Sequence, residues 1–252
     1  MKLKESKKLT MSALAIVSFL IVSVAYSQPS EKFNVPLIGS KAPSFKAEST
    51  NGKINFPSDF GKKWKVLFCH PRDYTPVCSS ELLELAHLQD DFEEMGVELV
   101  VISTDNLKSH QSWVGMLEKI TYKGKETPTI EFPLVDDHKA EVAKKYGMIH
   151  HPASTTENVR GIYVIDQDNI IQSTVFYPMT VGRNMEELKR SIIALQEVQK
   201  HQEQVYTPAN WQPGGDVLLP YLTKKQKSQL QNADPNVYEV AWFMQFKKLN
   251  NE

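Results

Sequence analysis

Cysteine is scarce in this chain: Cys69 and Cys78 are the two such residues among 252. A framework of disulfides is therefore excluded, and a single Cys69 to Cys78 bridge is the most it could hold. A Cys-x-x-Cys pair is missing as well, because Ser79 and Ser80 follow Cys78 and Glu81 takes the fourth place. That argues against thiol-disulfide exchange. There is no basic block either: 29 Lys and Arg stand against 30 Asp and Glu, and Lys2, Lys4, Lys7, Lys8 and Glu5 contribute +3 of a formal −1, leaving −4 for the remainder. A mildly acidic body does not suit nucleic acid as a partner. Internal repeats and low-complexity tracts are lacking. His150 and His151 have no acids or thiols at ligand spacing, so no metal is expected of them, and no pattern calls for a cofactor.

Long apolar runs are also absent. Met11 to Val24 is the one candidate and has 14 residues, short of the roughly 20 that span a bilayer. It follows a lysine-rich start and precedes Ala25-Tyr26-Ser27, which is the basic, apolar, small-residue order of a secretory signal over residues 1–27. The expectation is export, to a periplasmic or secreted location, with cleavage before Gln28 and no stable membrane association afterwards, an uncleaved membrane anchor being the alternative reading. The whole chain is 41% hydrophobic and 23% charged, and the 225 residues from Gln28 can bury a large core unaided.

Strand and helix patterns alternate through that remainder. Lys65 to Cys69 and Val97 to Ser103 are apolar strands. Between them, Leu82, Leu85, Leu88 and Phe92 recur at helical steps over Ser79 to Met95, with Glu81, Glu84, Asp90 and Glu94 on the other side and Gly96 as the stop. Strand, helix, strand is the crossover unit of a parallel sheet. Lys108 to Ile120 reads as a helix, Ile130 to Leu134 as a strand, and Lys139 to Tyr146 as a helix capped by Asp136 or Asp137. Gly161 to Asp166 and Ile170 to Tyr177 read as a hairpin, and Met185 to Lys200 as a long helix. The reading is one α/β domain over residues 35–202 and an extension over 203–252. That extension opens with Thr207 to Pro220, rich in proline and glycine, then a helix from Thr223 to Gln231. Its aromatics Tyr238, Trp242, Phe243 and Phe246 are expected to pack on the main domain or on a second subunit.

The chemistry concentrates in H-P-R-D-Y-T-P-V-C-S-S-E, His70 to Glu81. Cys78 falls in the first turn of a helix, where free backbone N–H groups and the positive end of the helix dipole favour a negative charge. A thiol there loses its proton more readily than a free one, whose pKa is about 8.5. Thr75 brings a hydroxyl near, and Pro71 and Pro76 stiffen the loop. Cys69 ends an apolar strand, where cysteine is usually a small buried hydrophobe.

P-R-D-Y-T-P-V-C, Pro71 to Cys78, resembles the P-x-x-x-T-x-x-C signature of peroxiredoxins. Phe68 to Asp73, Tyr177 to Asn184 (Y-P-M-T-V-G-R-N) and Thr207 to Pro220 resemble the one-cysteine subgroup, an AhpC/TSA-type domain followed by a 1-Cys peroxiredoxin C-terminal domain. The resemblance implies a thioredoxin-like α/β fold, with a central mixed sheet flanked by helices and a small C-terminal extension. It implies a thiol peroxidase for hydrogen peroxide and organic hydroperoxides, serving antioxidant defence. Cys78 is then the peroxidatic nucleophile, Thr75 hydrogen-bonds the peroxide, Pro71 shields the sulfenic acid, and Arg160 and Arg183 are the arginines of the pocket. His70 matches the subgroup's histidine beside the loop, or is a structural histidine packed beneath it. No cysteine follows Cys78, so an external thiol or other reductant must restore it, and at least a homodimer is expected. Some animal members carry a lipase-type G-D-S-W-G segment. The stretch here is G-K-K-W-K, Gly61 to Lys65, so phospholipase activity is not expected. Competing readings are a thiol-disulfide exchange protein and a non-catalytic, chaperone-like module on the same fold.

Overall fold

The computed structural model describes residues 35–249. The expected signal segment, 1–27, lies outside them. A seven-stranded mixed sheet forms the frame: β1 (Phe45–Ser49), β2 (Gly52–Phe56), β3 (Trp64–Cys69), β4 (Val97–Ser103), β5 (Leu134–Asp136), β6 (Arg160–Ile165) and β7 (Ile171–Tyr177) lie in the order β2-β1-β5-β4-β3-β6-β7. β3 is parallel to β4 and β4 to β5, while β6 is antiparallel to β3 and β7 to β6. Helices α1 (Pro76–Ala86), α2 (Gln89–Glu94), α3 (Leu107–Leu117), α4 (Glu141–Lys145) and α5 (Met185–Lys200) complete the domain.

The central strand explains the two layers. Every residue of β3 is buried, and its alternation sends Val66 and Phe68 to one face, Leu67 and Cys69 to the other. Val66 and Phe68 pack with Leu82 and Leu85 of α1, Trp113 of α3 and Leu188 and Ile192 of α5. Leu67 and Cys69 pack with Phe45, Phe56, Ile102, Val142 and Tyr146. Each fully buried side chain of this size contributes about 1.5–3 kcal/mol, so β3 anchors both layers.

Departures from the expected elements have local causes. The single helix expected over Ser79 to Met95 is two, because His87 sits between the Leu83 carbonyl, 2.5 Å from Nδ1, and the Glu126 carbonyl, 2.9 Å from Nε2. The chain tightens there, with Leu88 N–H donating to Leu85, and restarts. The strand expected at Ile130 to Leu134 begins at Leu134 instead. Pro133 has no N–H to give to a ladder, although its carbonyl accepts from Val101 N–H. Helix α4 is shorter than expected, with Ala140 at φ 54 at its start, and the Asp137 carboxylate accepts from Val142 and Ala143 N–H. The β1–β2 hairpin lies outside the elements expected above, although Phe45, Ala47, Ile54 and Phe56 alternate with polar residues about Asn51-Gly52. Its turn relies on Gly52 at φ +95.

The extension adds β8 (Val217–Leu218), α6 (Lys224–Ala233), β9 (Val237–Ala241) and β10 (Met244–Lys247), the strands forming a second sheet in the order β8-β10-β9. Thr223 caps α6 with a reciprocal capping box to Gln226. Trp211 is buried, and its carbonyl accepts from Arg190 of α5 at 2.9 Å, which fastens the start of the extension to the main domain. Tyr238 and Phe246 stack on each other at 5.4 Å. Trp242 and Phe243 do not pack as expected on this chain's core: they are 65% and 58% exposed. Among the described residues, no helix is long and apolar enough to cross a membrane.

Candidate active site

The parallel strand β3 ends at Cys69, the chain crosses the loop His70 to Thr75, and α1 begins with Thr75 as its N-cap and Pro76 as its first residue. Proline suits that position because its missing N–H would be unpaired there anyway. Cys78 is therefore the third helical residue, at the electropositive end, as its sequence position implied. Its side chain is fully buried. Cys69 and Cys78 are both free thiols, and they belong to different layers, with the sheet between them. This disposes of the intramolecular bridge.

Arg160 opens β6 and Arg183 precedes α5, and the structure brings both to Cys78 through a residue that the sequence reading had set on the polar side of the helix. Glu81 is 2% exposed. Its Oε2 accepts from Arg160 Nη1 and from Arg183 Nη2, each at 2.7 Å, and its Oε1 accepts from Arg183 N–H and Nε at 2.8 and 2.9 Å. Arg160 Nη1 also donates to Cys78 Sγ at 3.3 Å. The Met179 carbonyl accepts from Arg160 Nε and Nη2, while Arg183 Nη1 donates to the carbonyls of Cys69 and Gly161. The Arg183 guanidinium lies 3.4 Å above the Phe68 ring. Burial pulls Arg183 down from its ordinary value and Glu81 opposes this. Two guanidiniums against one carboxylate leave a surplus positive charge beside Sγ, which a thiolate would neutralise. Glu81 stands three residues after Cys78 and four before Leu85, one helical turn from each and on the face they share. That spacing was the available signal.

Thr75 is half-buried, and its hydroxyl donates to the Arg72 carbonyl at 3.1 Å, leaving lone pairs to accept from a ligand O–H. Pro71 is buried. His70 is buried beneath the loop with its ring 5.2 Å from Trp113 and 6.3 Å from His110. Burial drives its imidazole well below its ordinary value, helped by the charges of His110, Arg183 and Arg160 and opposed by the backbone of Arg72. The folded protein thus holds this ring neutral while the unfolded chain takes up a proton near pH 6.5. Stability is complete above that pH and falls as pH drops below it, by up to about 1.4 kcal/mol per pH unit for one proton. Urea midpoints at pH 7.5 and 5.5 check this, Asp73 and His110 being the ionisable neighbours that face the ring. If His70→Gln shows the same acid sensitivity as the parent, another group is responsible.

The segment Gly61 to Lys65 offers no nucleophile. Lys63 pairs with Glu98, and buried Lys65 donates to the Gly61 carbonyl and Asn169 Oδ1 at 2.8 and 2.7 Å.

A lone cysteine held at a helix start by a parallel strand, with a buried guanidinium on its sulfur, places the molecule among thiol-dependent oxidoreductases of thioredoxin-like fold. Comparison with known proteins narrows this class. Residues 38–174 match the model of the AhpC/TSA family, and residues 194–231 that of the C-terminal domain of 1-Cys peroxiredoxin. A peroxiredoxin of Methanosarcina mazei is 44% identical over 217 residues, covering 85% of this chain and 98% of that protein. Among solved structures, a yeast mitochondrial 1-Cys peroxiredoxin, studied for thiol resolution via glutathione/thioredoxin systems, superposes with a TM-score of 0.74 at 34% identity, covering 84% of this chain and 99% of the other. A mutant of the Peroxiredoxin 6 of Arenicola Marina gives 0.75 at 30% identity over 86% and 99%. The chain belongs to the peroxiredoxin family. It is a thiol-dependent peroxidase, reducing peroxide at the expense of a thiol.

Proposed function

We propose that Cys78 is the peroxidatic nucleophile of a one-cysteine cycle restored by an external thiol. The observation that carries this is the 3.3 Å contact from Arg160 Nη1 to Cys78 Sγ, in a cluster whose other members are charged and buried. Cys78 thiolate attacks one peroxide oxygen, the O–O bond breaks, and the leaving oxygen departs as alkoxide or hydroxide and takes up a proton. Sulfur is oxidised to sulfenic acid. Arg160 and Arg183 stabilise the negative charge as it moves from sulfur to the departing oxygen, Thr75 accepts the peroxide O–H, and Pro71 limits water at the sulfenic acid. One equivalent of reductant thiol then displaces water to form a mixed disulfide, and a second releases Cys78 as thiolate. Cys69 takes no part, because the sheet separates it from Cys78.

Reduced protein mixed with hydrogen peroxide and no thiol should consume one equivalent and stop, with a gain of one oxygen at Cys78 by mass spectrometry. Added glutathione or a thioredoxin system should restore turnover. Sustained turnover without any added thiol would overturn the one-cysteine cycle. The exchange and chaperone readings are disfavoured by the missing second cysteine and by the charge invested around the first.

The chain is further proposed to assemble at least as a homodimer through its extension. Tyr221, Val240, Trp242 and Phe243 together leave an apolar surface open, each more than half exposed; sedimentation of the Trp242→Glu variant as a monomer would support this surface, and unchanged sedimentation would not. Export rests on the basic start, the apolar run and the small residues before Gln28. N-terminal sequencing of protein recovered from its cells checks it, a start at Gln28 being expected.

A further inference from the structure

Outside the Cys78 cluster, His70, Asp73 and His110 bring ligand-type atoms within 4.8 Å of one another, all three residues being buried. Neither ring nitrogen of His70 makes a hydrogen bond of good geometry, the Arg72 backbone offering only a weak polar contact. Its Nε2 stops 3.7 Å from Asp73 Oδ1, too far for a hydrogen bond. His110 has the opposite difficulty. Its Nδ1 faces Asp73 Oδ2 at 2.9 Å and Oδ1 at 3.1 Å, while its Nε2 faces the Val135 carbonyl at 3.1 Å. A neutral imidazole has one N–H for those two acceptors, so a cation must stand on the carboxylate side, either a proton or a metal ion.

A proton there would satisfy His110 and leave His70 unpaired, at the cost that burying an unpaired polar group carries. A metal ion would engage one nitrogen of each ring. The separations of 2.9 Å to 4.8 Å bracket the edge of about 3.4 Å that a tetrahedron with bonds of about 2.0–2.1 Å requires. The surroundings also match a ligating set. The Val135 carbonyl fixes the tautomer that frees Nδ1 of His110, and Ser109 Oγ donates to Asp73 Oδ2 at 2.7 Å, orienting the carboxylate. Trp113 covers the site from one side.

We propose that His70, Asp73 and His110 form a binding site for a divalent transition metal of the zinc class, with the fourth position left to water. Two imidazoles and one carboxylate are a donor set that suits such ions. The ion displaces the proton shared by His110 and Asp73 to solvent. It ties the end of β3, the loop that carries Thr75, and α3 into one unit, independently of how Cys78 reacts.

The full chain carrying Cys78→Ser, which removes a competing thiolate, is stripped with a chelator and loaded with Zn(II) or Co(II), in one arm by prolonged dialysis and in another by refolding. One metal per chain should survive gel filtration. The Co(II) form should show a visible band of four-coordinate strength without thiolate charge transfer. Ser109→Ala should weaken affinity by about 10- to 100-fold, and Asp73→Asn should abolish stoichiometric retention. If Asp73→Asn fails to fold, a Zn(II)-dependent shift of the His70 and His110 ring nitrogens, read by NMR on the otherwise unchanged chain, decides instead. Failure to retain metal in either loading arm, or retention unaffected by both substitutions, overturns the proposal and leaves a proton between His110 and Asp73.

Discussion

Cys78→Ser is expected to lower hydrogen peroxide consumption by about 10⁴-fold or more, since single deletions of a nucleophile in a concerted site cost up to about 10⁶. A serine hydroxyl occupies nearly the same buried volume and can accept from Arg160, so the fold and its melting behaviour should survive. What is lost is the more nucleophilic sulfur, on which attack at the O–O bond depends. Cys69→Ala is the matched control. It sits in the opposite layer among Leu67, Ile102 and Tyr163, and its activity should stay within about threefold of the parent while stability falls by about 1 kcal/mol for the cavity left behind. Loss of turnover in Cys69→Ala with the fold intact would make Cys69 a resolving residue and the one-cysteine cycle would have to be abandoned.

Glu81→Gln is expected to cost stability on a scale that surface charge changes do not approach. The carboxylate is the sole acidic partner that the described residues offer to Arg160 and Arg183 at this site, with both contacts at 2.7 Å and all three side chains 1–2% exposed. Removing one partner of such a buried set leaves uncompensated charge and costs about 3–5 kcal/mol, to be read from urea denaturation. By contrast, exposed pairs such as Lys53 with Glu48 should each contribute under about 1 kcal/mol. A kinetic effect should accompany the loss. Arg160 Nη1 is shared between Glu81 Oε2 and Cys78 Sγ, and a displacement of about 1 Å in a reacting constellation can cost about 10²-fold. Single-turnover oxidation of Cys78 should therefore slow by about that factor even well below the melting temperature. A destabilisation under about 1 kcal/mol would mean that the two arginines find other acceptors.

The elements most legible in the residues were those whose pattern is local. Val97–Ser103 and Met185–Lys200 have the boundaries that the sequence predicts, because a short apolar run rich in β-branched residues and a long amphipathic period each specify one conformation. The place of Cys78 in the first turn of α1 was legible for the same reason, given Pro76 and the loop before it. Harder to see was the break at His87, which depends on a carbonyl at Glu126, far along the chain. The β1–β2 hairpin carries its own short signal, Phe45, Ala47, Ile54 and Phe56 alternating about Asn51-Gly52, in strands of only five residues each. Glu81 was placed with the solvent-facing acids because residue type alone says carboxylates stay wet; its burial makes sense only once Arg160 and Arg183, 79 and 102 residues away, are brought against it.

The amino-acid order was sufficient to identify the family and to single out one thiol as the candidate nucleophile, since a thiol at a helix start, its neighbouring hydroxyl and the stiffened loop are all close in the chain. The burial of Glu81 between Arg160 and Arg183, the layer that Cys69 joins, and the meeting of His70 with Asp73 and His110 were settled by folding alone. Those relations arise from long-range sheet pairing and from the requirement that every buried charge find a partner, and neither condition can be evaluated one stretch of sequence at a time.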